Sequence, residues 1–205
     1  MHEEALTKES ADIFSLFGSF SGFYLVGGTS LALQIGHRRS VDFDFFSYEL
    51  LPQNLLPKIK RIFVEKSISV TYKAAEQLNL IINDVKVTFF NYPYPNIYPL
   101  IDWRTIKLAS VPEIALMKAF SIGKRLSFKD YVDWYFLLSE GHVSLADVLD
   151  GSKKKFGSDF NDRLFLGQLV SLDEIPSQKI DFLRNEISFG DLQIFFEKEV
   201  KKIKL

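Results

Sequence analysis

Phe23-Tyr24-Leu25-Val26-Gly27-Gly28-Thr29-Ser30-Leu31-Ala32-Leu33 is followed, two residues later, by Gly36-His37-Arg38-Arg39-Ser40-Val41-Asp42-Phe43-Asp44-Phe45-Phe46. The apolar run 23–26 stops at two glycines, as a buried strand does. Residues 30–35 read as a helix ended by Gly36, and residues 41–47 read as a strand. Two glycines permit tight backbone approach and positive φ. The helix that follows presents unpaired N–H groups, a ready anion site, and the hydroxyls of Thr29 and Ser30 are expected to point at the same guest. Alternate residues of a strand share a face, so Asp42 and Asp44 stand together about 7 Å apart while Phe43 and Phe45 enter the core. Adjacent carboxylates repel unless they are solvated or a cation lies between them. Mg²⁺ takes hard oxygen ligands, commonly one or two carboxylates plus substrate phosphates. Arg38 and Arg39 could neutralise a triphosphate. Each signal also has a plainer reading: a common strand–glycine–helix turn, a solvated acidic strand edge, a solvated arginine pair and a structural His37.

Working outward, residues 4–17 read as a helix carrying Leu6, Ile13, Phe14 and Phe17 on one side, and residues 52–65 as an amphipathic helix. Strand-like runs cover 68–73, 78–82 and 85–91, with Asn83-Asp84 as a hairpin turn between the last two. A proline-rich loop, 92–99, closes this half. The second half carries four capping boxes, Ser110-x-x-Glu113, Ser127-x-x-Asp130, Ser144-x-x-Asp147 and Ser188-x-x-Asp191, each ahead of an apolar helical run. They predict helices near 111–124, 128–140, 145–156, 160–170 and 189–203. The fold class is α+β, a small mixed β-sheet core with flanking helices over 1–109, then a helical half over 110–205.

A chain of 205 residues suits one domain or two small ones, and its 20 phenylalanines supply an aromatic core. The absence of cysteine excludes disulfides, thiolate metal sites and a cysteine nucleophile. A net charge of −1 gives no global pull toward nucleic acid or an anionic membrane, although a local patch could still bind nucleic acid. The acidic start, Met1-His2-Glu3-Glu4, does not resemble a secretory signal, and no apolar run approaches the ~20 residues of a membrane span. A cytoplasmic protein without membrane association is expected.

The quoted stretch resembles the signature of the AbiEii/AbiGii toxin family, within the DNA polymerase β-like nucleotidyltransferase superfamily. The resemblance continues through Tyr92-Pro93-Tyr94-Pro95, Leu108-Ala109-Ser110, Met117-Lys118 and Lys129-Asp130-Tyr131-Val132-Asp133-Trp134, covering roughly residues 20–140. It implies transfer of a nucleoside monophosphate from an NTP to an acceptor hydroxyl, with tRNA among the acceptors of related toxins and an antitoxin as partner. Asp42 and Asp44 would hold Mg²⁺ or Mn²⁺. Gly27, Gly28, Thr29, Ser30 and Arg39 would bind the nucleotide, and Lys118 would contact phosphates. Asp133 matches the later acidic motif, and the helical half would complete the cleft. From the residues alone, Lys118 reads as a snorkelling lysine, Lys129 as a solvated charge and Asp130 as a capping residue.

The resemblance also implies a third acid on a neighbouring strand, near 86–90. Position 88 is Thr88, which shares a face with Lys86 and Phe90 while Val85, Val87 and Phe89 point to the core. A threonine is no general base at neutral pH, and Asp84 lies about 13 Å away along the strand. Two readings therefore stand: an active metal-dependent nucleotidyltransferase, and a degenerate fold that binds nucleotide or a partner protein.

Overall fold

The computed structural model describes residues 1–124 and 127–203, in two compact units, Met1–Ser110 and Val111–Leu205. The first unit is built on one mixed sheet of seven strands: β1 (Tyr24–Val26), β2 (Phe43–Ser47), β3 (Ile68–Lys73), β4 (Gln77–Ile82), β5 (Val85–Asn91), β6 (Leu100–Trp103) and β7 (Ile106–Ala109). Their order across the sheet is β3-β4-β5-β2-β1-β7-β6. The pairs β2/β5 and β1/β7 are parallel and the rest antiparallel. Three helices accompany them, α1 (Lys8–Phe14), α2 (Gly27–Ile35) and α3 (Leu55–Ile62).

Alternation sorts the sheet into two faces. Phe43 and Phe45 of β2, Val85, Val87 and Phe89 of β5, and Leu78, Leu80 and Ile82 of β4 are buried in one cluster with Ile13, Phe17, Phe20, Ile59 and Phe63. Phe17 is its hub, with ring centroids 4.6 Å from Phe45, 5.1 Å from Phe63 and 5.2 Å from Phe43. Each fully buried phenylalanine contributes roughly 1.5–3 kcal/mol relative to exposure. The other face carries Asp44, Phe46, Thr88 and Phe90, all half-buried.

The expected helix over 4–17 is shorter, because 3-10 turns at Glu3–Ala5 and Ser15–Ser19 flank α1. Asn83 and Asp84 both take positive φ, 45° and 65°, as a two-residue hairpin of the primed kind requires. The β6–β7 hairpin had no sequence signal. Its strands are four residues each, and its turn places Arg104 at φ 55° without glycine or asparagine.

The second unit contains α4 (Val111–Ser121), α5 (Phe128–Ser139), α6 (Leu145–Phe156), α7 (Asp162–Val170) and α8 (Phe189–Lys201). Trp134, Tyr131, Phe165 and Phe196 are buried among them. Two of the capping boxes form: the Ser144 and Ser188 hydroxyls accept from the N–H groups of Asp147 and Asp191, each at 3.1 Å. Ser127 makes no side-chain cap. The acids of the other two boxes turn inward to lysines, Glu113 to Lys155 at 2.6 Å and Asp130 to Lys118 at 2.8 Å. No helix among the described residues is long and apolar enough to cross a membrane.

Candidate functional site

β1 ends at Val26 and the chain enters α2 directly at Gly27, whose φ of 70° is left-handed. Only glycine takes that conformation without a penalty. Val26 pairs with Asp44 of β2, and Asp44 pairs on its other side with Thr88 of β5. Asp44 is therefore central in a row that runs from the glycine turn to β5. A Cβ placed on Gly27 would come 2.9 Å from Asp44 Oδ2, and one on Gly28 would come 2.5 Å from Arg38 Nη2. The two glycines are what let a carboxylate and a guanidinium close over the start of α2.

Asp42, just ahead of β2, and Asp44 are both half-buried. Two carboxylates two residues apart repel each other unless solvent or a cation lies between them. A hard divalent cation would remove that repulsion, and a phosphate at the N-terminus of α2 would supply further oxygens, so the donor set fits Mg²⁺ or Mn²⁺ with a nucleotide. Among the described residues no cluster of three or more His, Cys, Asp or Glu side chains suits a metal. The pair needs substrate oxygens to complete a coordination sphere. Thr88 stands directly opposite Asp44, as alternation along β5 requires.

Two expectations need correction. The hydroxyls of Thr29 and Ser30 do not face a guest. Both residues are buried; the Thr29 hydroxyl hydrogen-bonds the Asp42 carbonyl and Ser40 Oγ (2.7 Å), and the Ser30 hydroxyl donates to the Ala109 carbonyl at 3.3 Å. They anchor the turn to β2 and α2 to β7, leaving first-turn backbone N–H groups as the donors toward a ligand. The arginines also divide differently. Exposed Arg39 directs Nε to the Glu4 carbonyl at 3.3 Å, whereas Arg38, 3 % exposed, covers Gly28. Both arginines are candidates from the sequence, and adjacent arginines carry no local sign of which one is buried.

In the helical unit Lys118 is buried, not snorkelling. Its ammonium lies 2.8 Å from Asp130 and 2.6 Å from Asp133, whose side chain is fully buried. Burial by itself would lower the lysine pKa, but the two carboxylates outweigh it and hold the group above its ordinary value. Asp130 is thus a partner of Lys118 and not a cap. The Glu113–Lys155 pair contrasts with it. There burial, opposed by a single carboxylate, leaves the lysine pKa below its ordinary value.

The family model for the nucleotidyl transferase AbiEii toxin of type IV toxin–antitoxin systems matches residues 11–198. The match reaches through the helical unit, well past the stretch near residue 140 where recognisable motifs end. An uncharacterized protein of Aquifex aeolicus (strain VF5) is 28 % identical over 198 residues, 95 % of this chain and 94 % of its own. Among solved structures, a Helicobacter pylori protein assigned as a nucleotidyltransferase aligns over 96 % of both chains with a TM-score of 0.57 at 17 % identity. MenT4, a nucleotidyltransferase toxin from Mycobacterium tuberculosis H37Rv, aligns over 97 % of this chain and 87 % of its own with a TM-score of 0.50 at 12 % identity. At such identities these structures speak to the fold.

Proposed function

The chain belongs to the AbiEii nucleotidyl transferase toxin family, and from that premise we propose that it transfers a nucleoside monophosphate from a metal-bound NTP to an acceptor hydroxyl, as the toxin of a toxin–antitoxin pair. The observation that carries this reading is the position of Asp44, between the glycine turn at Gly27 and Thr88. Asp42 and Asp44 would hold Mg²⁺ or Mn²⁺, which would supply neutralisation of the charge that develops in transfer. Backbone N–H groups at Gly28, Thr29 and Ser30 receive the triphosphate, with Arg38 over the turn and Arg39 beside it contributing positive charge. The acceptor oxygen bonds to the α-phosphorus as the α–β bridging bond breaks, and pyrophosphate leaves. Thr88 cannot take the acceptor proton, so its hydroxyl orients the acceptor or a water, and the proton passes to water.

The family resemblance adds Lys118 and Asp133 to the reaction. Asp133, fully buried against the ammonium, would fix the position of Lys118. An RNA end, with tRNA as the specific candidate, is the acceptor class the resemblance favours. An antitoxin partner and a cytoplasmic setting complete the reading.

A second reading is favoured by Thr88 opposite Asp44: a nucleotide- or partner-binding module that has lost transfer. One experiment separates them. The purified chain is incubated with each labelled NTP, Mg²⁺ and total RNA, and NTP binding is followed by calorimetry with and without EDTA. Transfer that disappears in Asp44→Asn, with metal-dependent NTP binding, supports the enzyme. Metal-dependent binding without transfer supports the module. Binding that is equal in Mg²⁺, in EDTA and in Asp44→Asn, without transfer, overturns the metal role of Asp42 and Asp44 and the enzyme with it.

A further inference from the structure

From the register of the sheet we infer that the RNA end taken as acceptor in the nucleotidyl-transfer reading lies single-stranded across β5, β4 and β3, with its bases read by Gln77 and Asn79 and stacked on Tyr72. This rests on the nucleotidyl-transfer reading and extends it to the second substrate. Transfer at phosphorus puts the attacking and leaving oxygens roughly in line on opposite sides. The triphosphate side is the glycine turn, reached from Asp44 through β1. The acceptor must then approach from the other neighbour of β2, which is β5.

The register continues that line outward. Thr88 pairs with Asn79 of β4, and Asn79 pairs with Tyr72 of β3. Three strand steps separate Asp44 from Tyr72, about 14 Å. Tyr72 would not face this way by simple alternation. Ile68 and Val70 pair with the buried Ile82 and Leu80 of the core face, and a strict period of two would send Tyr72 after them. A bulge between Val70 and Tyr72 inserts one residue and turns the Tyr72 ring onto the face of Asn79, Thr88 and Asp44. Bulges beside active sites commonly re-aim a side chain in this manner. Tyr72 is 50 % exposed, as a stacking platform needs.

The amides add base-edge chemistry. Gln77 Nε2 donates to Asn79 Oδ1 at 3.0 Å. Whichever way the two amides are oriented, one carbonyl and one NH₂ stay outside this bond. That neighbouring acceptor and donor matches the edge of a nucleobase. Lys86, exposed on the same face two residues before Thr88, makes no ion pair among the described residues and can neutralise a backbone phosphate. An aromatic platform, hydrogen-bonding amides and a lysine are the elements of single-strand recognition.

The test uses the full chain and a fluorescein-labelled single-stranded RNA octamer of random sequence with a free 3′ hydroxyl, read by anisotropy, alongside Mg²⁺·NTP calorimetry. Tyr72→Ala and Asn79→Ala should each weaken octamer binding about five- to a hundredfold with NTP binding unchanged, and Tyr72→Phe should retain binding, since stacking needs the ring alone. Lys86→Gln should reduce the salt dependence by about one phosphate contact. Octamer affinity within twofold of the parent in both alanine variants overturns the inference. So does a parent chain that binds Mg²⁺·NTP but no octamer, a result that leaves nucleotidyl transfer standing with a different acceptor. A parent chain that binds neither ligand removes the nucleotidyl-transfer reading itself, and this inference with it.

Discussion

Gly27 and Asp44 are so close that a side chain on the glycine would meet the carboxylate, with a Cβ 2.9 Å from Oδ2 at a φ of 70°. Gly27→Ala therefore meets both backbone strain and a contact that only movement of Asp44 relieves. The left-handed conformation alone costs about 1–2 kcal/mol for a residue bearing a Cβ. Urea denaturation should show at least that loss, and calorimetry should show weakened Mg²⁺·NTP binding because Asp44 has been displaced. Gly22→Ala, with nothing within 4 Å of its Cβ, is the control and should leave NTP binding unchanged.

Thr88 faces Asp44 across the parallel pair where a third acid is expected. A general base typically contributes 10²–10⁴-fold. Thr88→Asp should raise the rate of transfer from labelled NTP while NTP affinity changes little. Thr88→Ala should leave the rate within a few-fold. A large loss in Thr88→Ala would assign the hydroxyl itself to catalysis.

Lys118 sits between Asp130 and Asp133 in a dry environment. Removing one member of a buried ionic group costs about 3–5 kcal/mol. Asp133→Asn should show a loss of that order in urea, whereas Asp102→Asn, which breaks an exposed pair with Lys107, should be almost silent. The pKa of Lys118 is raised, so the folded chain holds that proton more tightly than the unfolded chain. Its contribution is fully present below the ordinary lysine value of 10.5 and is lost as pH rises through the folded value. Denaturation midpoints measured from pH 9 upward should fall along this limb. Lys118→Arg, which stays charged there, should flatten it.

Four serines precede four acids at the same spacing, yet only two act as helix caps. Ser144→Ala and Ser188→Ala should each cost about 1 kcal/mol. Ser127→Ala should cost far less, since no cap bond is present to lose. Thermal melts of the three single variants decide the matter; equal losses would contradict the observed cap geometry.

The sequence by itself determined whatever depends on neighbours along the chain. The glycine turn, the face that Asp44 takes opposite Phe43 and Phe45, the orientation of Thr88 along β5 and the Asn83-Asp84 hairpin all follow from backbone periodicity and turn sterics, which act within a few residues. Tertiary structure alone decided what depends on residues far apart. It chose Arg38 over Arg39 to cover Gly28, because burial is set by distant packing. It drew Asp130 and Glu113 away from their serines to Lys118 and Lys155, because an unpaired charge in a dry interior costs more than a lost cap. It paired the four-residue strands β6 and β7, too short to register as periodic. It also set the bulge that turns Tyr72 toward Asn79, since a one-residue slip in register moves a side chain to the other face and only the partner strand can impose it.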